Sequence, residues 1–278
     1  MAEVQSILAQ YRQQGFALWP AFASDEEVVK LKTCAQLWAQ RLDIPAHAHF
    51  ATGADAAIRD RYFLDSATCV RGFFEPAAFD AQGKLKVPQP RAINKIGHAL
   101  HLLDPVCRSW SIQSKVIQLV RLVGLVQPQI VQSQFIFKPP HVGGQVDLHM
   151  DSTFLYTDPP SCMGLWLALD EATVENGCLM VIPGSHRQAV PKRYVRRSDN
   201  SLTFVSLTPS PPHWDPKDCE PIPARPGDLV LLHGQVVHAS APNTSHRPRL
   251  AFVLHLIDGQ AHWPTDNWMA SPPILPLL

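Results

Sequence analysis

"IVQSQFIFK", residues Ile130 to Lys138, begins the part of the chain whose reading decides the fold. It is the first of a series of short β-type runs that follow Gln127. The others are "CMGLWLALD" (Cys162 to Asp170), "CLMVI" (Cys178 to Ile182), "LTFVSL" (Leu202 to Leu207), "DLVLLHG" (Asp228 to Gly234) and "RLAFVLHLI" (Arg249 to Ile257). Turn-forming stretches such as "GGQ", "DPP", "ENG", "PGD" and "PNTS" separate them. Asn176-Gly177, lying between two of the runs, predicts a hairpin. No helical period intervenes, which argues against strand–helix–strand crossovers and for an antiparallel sandwich or barrel. The expected architecture is mainly β: a jelly-roll, cupin-like double sheet.

Ahead of this region the chain reads as helical. Val4, Ile7, Leu8 and Tyr11 make an i, i+3, i+4, i+7 stripe. "GFALWP" reads as a short strand closed by proline. Ser24 with Glu27 predicts a capping box that opens a second helix, whose inward stripe is Val28, Leu31, Ala35 and Trp38. Asp104-Pro105 predicts another helix start, and "SKVIQLVRLVG" a helix with Val116, Leu119, Val120 and Val123 inward, ended by Gly124. Residues 45 to 60 show no clear period. One domain over 1–278 is expected, with a helical part over about 1–126 and a β core over about 127–260. The helices should brace one outer face of the double sheet.

The 278 residues are 46% hydrophobic and 17% charged, ample for one large core. Basic and acidic residues balance at 24 each, so no bulk attraction to nucleic acid or to a membrane surface is expected. The 26 prolines fall between apolar runs and punctuate a β-rich fold. Six cysteines, none spaced C-x-x-C, together with no charged leader and no apolar run of about 18 residues, predict reduced thiols in a cytoplasmic protein.

Candidate chemistry begins in "DLHMDSTF", Asp147 to Phe154. On a strand, His149 and Asp151 point the same way, with Met150 facing the other. An imidazole and a carboxylate on one face suit a divalent first-row metal but need a third ligand. "LLHGQVVHAS" offers His238, with His233 equally placed by pattern. His149, Asp151 and His238 would form a two-histidine, one-carboxylate set on one face of an octahedron, leaving adjacent positions for a bidentate oxo acid and dioxygen. The far carboxylate of such an acid needs a planar cation, and Arg249 or Arg247 could supply it from a strand beside that of His238. His98 and His101, three apart, read as structural histidines, and His186 as part of a turn. "RQAVPKRYVRRSDN", residues 187 to 200, reads as a basic loop.

"HMD", "NGCLMVIPGSHR", "PGDLVLLHGQVVHAS" and "RPRLAFVLH" resemble the phytanoyl-CoA dioxygenase family of Fe(II)- and 2-oxoglutarate-dependent oxygenases. "INKIGHALH", "QSQFIFK", "GGQVDLHMDSTFLYT" and "WLALDEATVENGCL" are similar to its branch of phytanoyl-CoA dioxygenase-domain-containing proteins, over about Gly15 to Trp268. The resemblance implies a double-stranded β-helix and the use of Fe(II), 2-oxoglutarate and O2, with ascorbate as a reductant. By position, it implies that His149, Asp151 and His238 bind iron and that Arg249 anchors the co-substrate. Lys95 matches a lysine that contacts 2-oxoglutarate, and Trp166 a tryptophan flanking it. Gln134 stands where this branch carries a methionine. The implied reaction releases succinate and CO2 and hydroxylates a small molecule. Related halogenating enzymes carry a small residue in place of the aspartate, so Asp151 points to hydroxylation. Two other uses of such a site are a zinc-dependent hydrolase and a cupin-like binding protein without turnover. A monomer acting on a small molecule, with no nucleic-acid or membrane partner, is expected.

Overall fold

The computed structural model describes residues 2–50 and 61–277, so most of the unpatterned 45–60 segment lies outside the described residues. The strands are β1 (Phe16–Trp19), β2 (Val70–Phe74), β3 (Ile93–His98), β4 (Pro128–Lys138), β5 (Val146–His149), β6 (Met163–Ala168), β7 (Leu179–Val181), β8 (Lys192–Arg196), β9 (Leu202–Ser206), β10 (Glu220–Ile222), β11 (Leu229–His233), β12 (His238–Ser240), β13 (Arg249–Asp258) and β14 (Leu275–Pro276). The helices are α1 (Ala2–Gln14), α2 (Asp25–Arg41), α3 (Arg61–Asp65), α4 (Leu100–Leu103), α5 (Pro105–Ser111) and α6 (Ser114–Leu122).

Two antiparallel sheets form the double-stranded β-helix. The larger runs β1-β11-β6-β13-β4-β3-β2, with β14 also paired to β4. The smaller runs β10-β7-β12-β5 and faces it. The apolar runs of the sequence are near-continuous because the central strands of the large sheet are buried on both faces. Leu165, Leu167, Leu229, Leu231, Phe252 and Leu254 turn outward into the core shared with the helices. Their neighbours Trp166, Ala168, Val230, Leu232, Ala251 and Val253 turn inward against Leu179, Val181 and Ile222 of the small sheet. The helices therefore cover one outer face, as expected. Ile7, Leu8 and Tyr11 of α1, Val28, Leu31 and Ala35 of α2, and Val116, Leu119 and Val120 of α6 are among their buried residues. The capping box of Ser24 and Glu27 forms, and Asp104 caps α5. Such caps contribute about 1 kcal/mol each.

Four local expectations are corrected. Asn176-Gly177 is not a hairpin, because β6 and β7 belong to different sheets. The segment is a crossover turn, held by Asn176 Oδ1 accepting from Thr173 N–H and Asn176 Nδ2 donating to Glu171 O. The helical N-terminal part also contributes β1, β2 and β3 to the large sheet. "KRYVR" within the expected basic loop is β8, which pairs with β9 in a separate two-stranded ribbon. Finally, β5 ends at His149, and Asp151 begins a single 3₁₀ turn. Met150 remains extended (φ −108, ψ 135) and fully buried, so His149 and Asp151 still share a face.

Candidate active site

The small sheet brings the metal-ligand candidates together. β12 pairs antiparallel with β5 in a register that sets His238 opposite His149. The two ring centroids lie 4.2 Å apart. Asp151 follows β5 and reaches the same point: its Oδ1 is 3.7 Å from His149 Nε2 and 3.6 Å from His238 Nε2. One ligand atom from each of the three residues lies within 4.8 Å of the others.

Both histidines are held by the nitrogen that faces away. His149 Nδ1 donates to Asp147 O at 2.8 Å, and His238 Nδ1 to Val236 O at 3.1 Å. That fixes the tautomer and leaves each Nε2 lone pair aimed at the shared point, as a metal site requires. Burial, reinforced by the neighbouring His149, lowers the His238 pKa to about 4, so the ring is neutral and ready to coordinate. Burial pushes the Asp151 carboxyl upward, but His255, His238 and His149 together outweigh it and hold the pKa well below the usual carboxylate range. The donor set of two imidazoles and one carboxylate fits a divalent first-row cation.

Arg249 reaches this cavity from the other sheet. Its strand, β13, pairs with β4 and β6 rather than with the strand of His238, which corrects the expected neighbour relation. Arg249 is 2% exposed and donates through Nη2 to Gly177 O at 3.1 Å. The guanidinium carbon sits 5.4 Å from the Trp166 ring centroid. Burial lowers its pKa to about 10, offset in part by Cys178, Glu75 and Asp170, so it stays charged. Its Nε and Nη1 are buried without a partner among the described residues, as is Ser240 Oγ. Donors left open in a buried place are costly unless an acceptor fills them, and a carboxylate fits them. Arg247 is exposed and paired with Glu171, 2.7 Å away.

Lys95, Gln134, Trp166, Arg249 and the three ligand candidates all line one cavity of about 230 Å³. Lys95 Nζ is 3.4 Å from Gln134 Oε1 and 3.5 Å from the Phe50 ring centroid. Trp166 both packs in the inter-sheet core and faces the site. His233 lies in the large sheet instead, in tilted ring contact with Tyr11 and His186, and burial lowers its pKa to about 4. His98 and His101 are structural: their Nδ1 atoms meet Ser66 Oγ and Ser133 Oγ. Of the basic residues in 187–197, only Lys192 lines the cavity. Arg187 donates to Gln13 O, Arg193 pairs with Asp266, and Arg196 donates to Asn200. Sequence reasoning missed Ser240 and His255. His255 shares its face of β13 with Arg249, Ala251 and Val253, so strand parity could have found it.

A family model for phytanoyl-CoA dioxygenase (PhyH) matches residues 11–251. The chain belongs to the phytanoyl-CoA dioxygenase family. Phytanoyl-CoA dioxygenase domain-containing protein 1 of Mus musculus is 42% identical over 98% of this chain and 96% of its own. A phytanoyl-CoA dioxygenase of Arabidopsis thaliana is 39% identical over 93% and 90%. Among solved structures, the epimerase SnoN, in complex with Fe3+, alpha ketoglutarate and nogalamycin RO, superposes with a TM-score of 0.65 at 16% identity, covering 95% of this chain and 87% of that one. EctD from S. alaskensis gives 0.61 at 20%, covering 93% and 78%. These two share the fold. Membership in the phytanoyl-CoA dioxygenase family makes the chain a dioxygenase that uses Fe(II), 2-oxoglutarate and O2. Among the described residues, no helix is long and apolar enough to cross a membrane.

Proposed function

We propose that this protein hydroxylates a small organic molecule, with His149, Asp151 and His238 holding Fe(II) and Arg249 anchoring 2-oxoglutarate. The observation that carries the reading is the convergence of both histidine Nε2 atoms on one oxygen of Asp151, each ring tied back to a carbonyl. Iron and 2-oxoglutarate, when bound, supply the activation of dioxygen and the release of succinate and CO2. The chain's own residues bind, orient and exclude water. Arg249 Nε and Nη1, with Ser240 Oγ, would take the far carboxylate of the co-substrate. Trp166 would hold the guanidinium flat, and Lys95 with Gln134 would bound the co-substrate's side of the cavity.

Six aromatic side chains also line the cavity, Phe50, Phe63, Phe154, Phe204, Trp214 and Trp268, beside polar residues such as Asn94, Gln132 and Lys192. Such walls suit an apolar face on the substrate and keep the reacting position dry. The formal net charge of zero supports neither nucleic acid nor a membrane surface as partner. The whole chain would act as one domain and as a monomer. All six cysteines are free, which fits a reducing cytoplasm.

The test is succinate formation from 2-oxoglutarate by the Fe(II)-loaded protein. Turnover is expected, with inhibition by Zn(II) and loss in His149→Ala and Asp151→Ala while the fold is retained. Near-native turnover in either variant, with iron still bound stoichiometrically, rules out the triad. Hydrolysis supported by Zn(II), with no succinate, would establish a zinc enzyme instead.

A further inference from the structure

His255 is a buried histidine for which the reading above has no task. It is 5% exposed, and its Nε2 lies 3.2 Å from Asp151 Oδ2, the carboxylate oxygen that faces away from His149 and His238. A carboxylate oxygen only accepts, so the nitrogen facing it carries the proton. The contact is short but off-line: Asp151 Oδ2 and His255 Nδ1 are both buried without a hydrogen-bond partner among the described residues. A small rotation of either group would complete the bond.

The strand between them makes the approach possible. β13 pairs with β6 so that His255 stands opposite Gly164. A Cβ at Gly164 would lie 3.3 Å from Asp151 Oδ2 and 3.7 Å from His255 Cδ2. A side chain at 164 would therefore fill the gap that the carboxylate enters. Asp151 thus spans the two sheets, with Oδ1 toward the small-sheet histidines and Oδ2 toward the large-sheet one.

We propose that His255 is the positioning residue that keeps Asp151 a one-oxygen ligand. This rests on the iron-site reading above. By holding Oδ2, His255 prevents the carboxylate from chelating. A chelating carboxylate would occupy one of the positions needed by the co-substrate or dioxygen. Three ligand atoms leave about three open positions on an octahedral ion, and a chelating Asp151 would leave about two.

Mn(II) can count those positions without turnover, through the relaxation rate of bound water at saturating metal and no 2-oxoglutarate. Wild type should show the enhancement of about three inner-sphere waters. His255→Phe and His255→Leu, which lack the donor, should lose about one third of it. His255→Gln, whose amide nitrogen reaches as far as Nε2, should restore it. Two apolar variants are used so that one failing to fold leaves the comparison intact, and thermal melts identify the folded one. Wild-type enhancement in a folded apolar variant overturns the proposal, as does a Gln variant that matches the apolar ones. If wild type itself binds no Mn(II), or Mn(II) does not compete with Fe(II), the iron-site reading fails and this inference falls with it. A wild type that binds while the variants behave identically removes His255 alone.

Discussion

Replacing Arg249 by methionine should weaken 2-oxoglutarate binding strongly while leaving the empty protein about as stable as before. The guanidinium is buried, and burial lowers its pKa from 12.5 to about 10. A shift of that size corresponds to about 3 kcal/mol against the charged form. The side chain recovers part of this through one bond to Gly177 O and the face of Trp166, together worth about 2–4 kcal/mol. Those terms nearly cancel, and methionine fills a similar volume, so the change in unfolding free energy should stay within about 1 kcal/mol. Binding is different, because Nε and Nη1, buried without a partner among the described residues, would find their acceptor in the bound co-substrate. Two charge-assisted bonds at about 1.5–3 kcal/mol each, less the desolvation of the ligand carboxylate, give about 3–4 kcal/mol. That is roughly a 150- to 1,000-fold rise in Kd. Calorimetric titration of 2-oxoglutarate into Mn(II)-loaded protein, with a thermal melt of the metal-free protein, reads both quantities. Arg247→Ala is the control: its pair with Glu171 is surface-exposed, worth about 0–1 kcal/mol, and should not move Kd. Equal Kd values for the two variants, or a large drop in the melting temperature of metal-free Arg249→Met, would refute the reasoning.

Two further outcomes are expected. Gly177 adopts φ +81, and a Cβ there would meet Ala241 O at 2.4 Å; Gly177→Ala should cost roughly 2–4 kcal/mol in a denaturant melt and, by moving the carbonyl that holds Arg249, weaken 2-oxoglutarate binding as well. Burial lowers the His101 pKa to about 4, so as pH falls below about 6.5 the unfolded chain takes up the proton first; stability from this site should be intact above that pH and decline by about 3 kcal/mol toward pH 4, and a melting temperature as steep in His101→Gln as in wild type would show that another group controls it.

The sequence by itself determined the local elements and the chemistry they could carry. Near-continuous apolar runs with turn residues between them announced a double sheet, and the capping residues Ser24 and Asp104 marked helix starts. Two-residue spacing placed His149 and Asp151 on one face, a relation that survives even though Asp151 has left the strand. Strand β3 stayed hidden because "INKIGH" puts Asn94, Lys95 and His98 among its apolar residues, and Asn94 and Lys95 line the cavity. Residues recruited to a site break the pattern that would reveal their strand. β8 was hidden by its own charges.

Tertiary structure decided everything that required knowing which strand lies beside or across from which. Strand pairing is a long-range choice, set by how whole sheets bury their faces and not by neighbours in the chain. His233 and His238 look alike in sequence, yet β11 joined the large sheet and turned His233 toward Tyr11, while β12 joined β5 and set His238 opposite His149. Arg247 and Arg249 share a parity, but β13 begins at Arg249 and only that side chain enters the cavity. The bond that would have been drawn between Asn176-Gly177 and a hairpin dissolved for the same reason: the flanking strands pack in opposite sheets. Strand parity turns His255 to the inner face of β13, but its place beside Asp151 was set only when those sheets closed face to face.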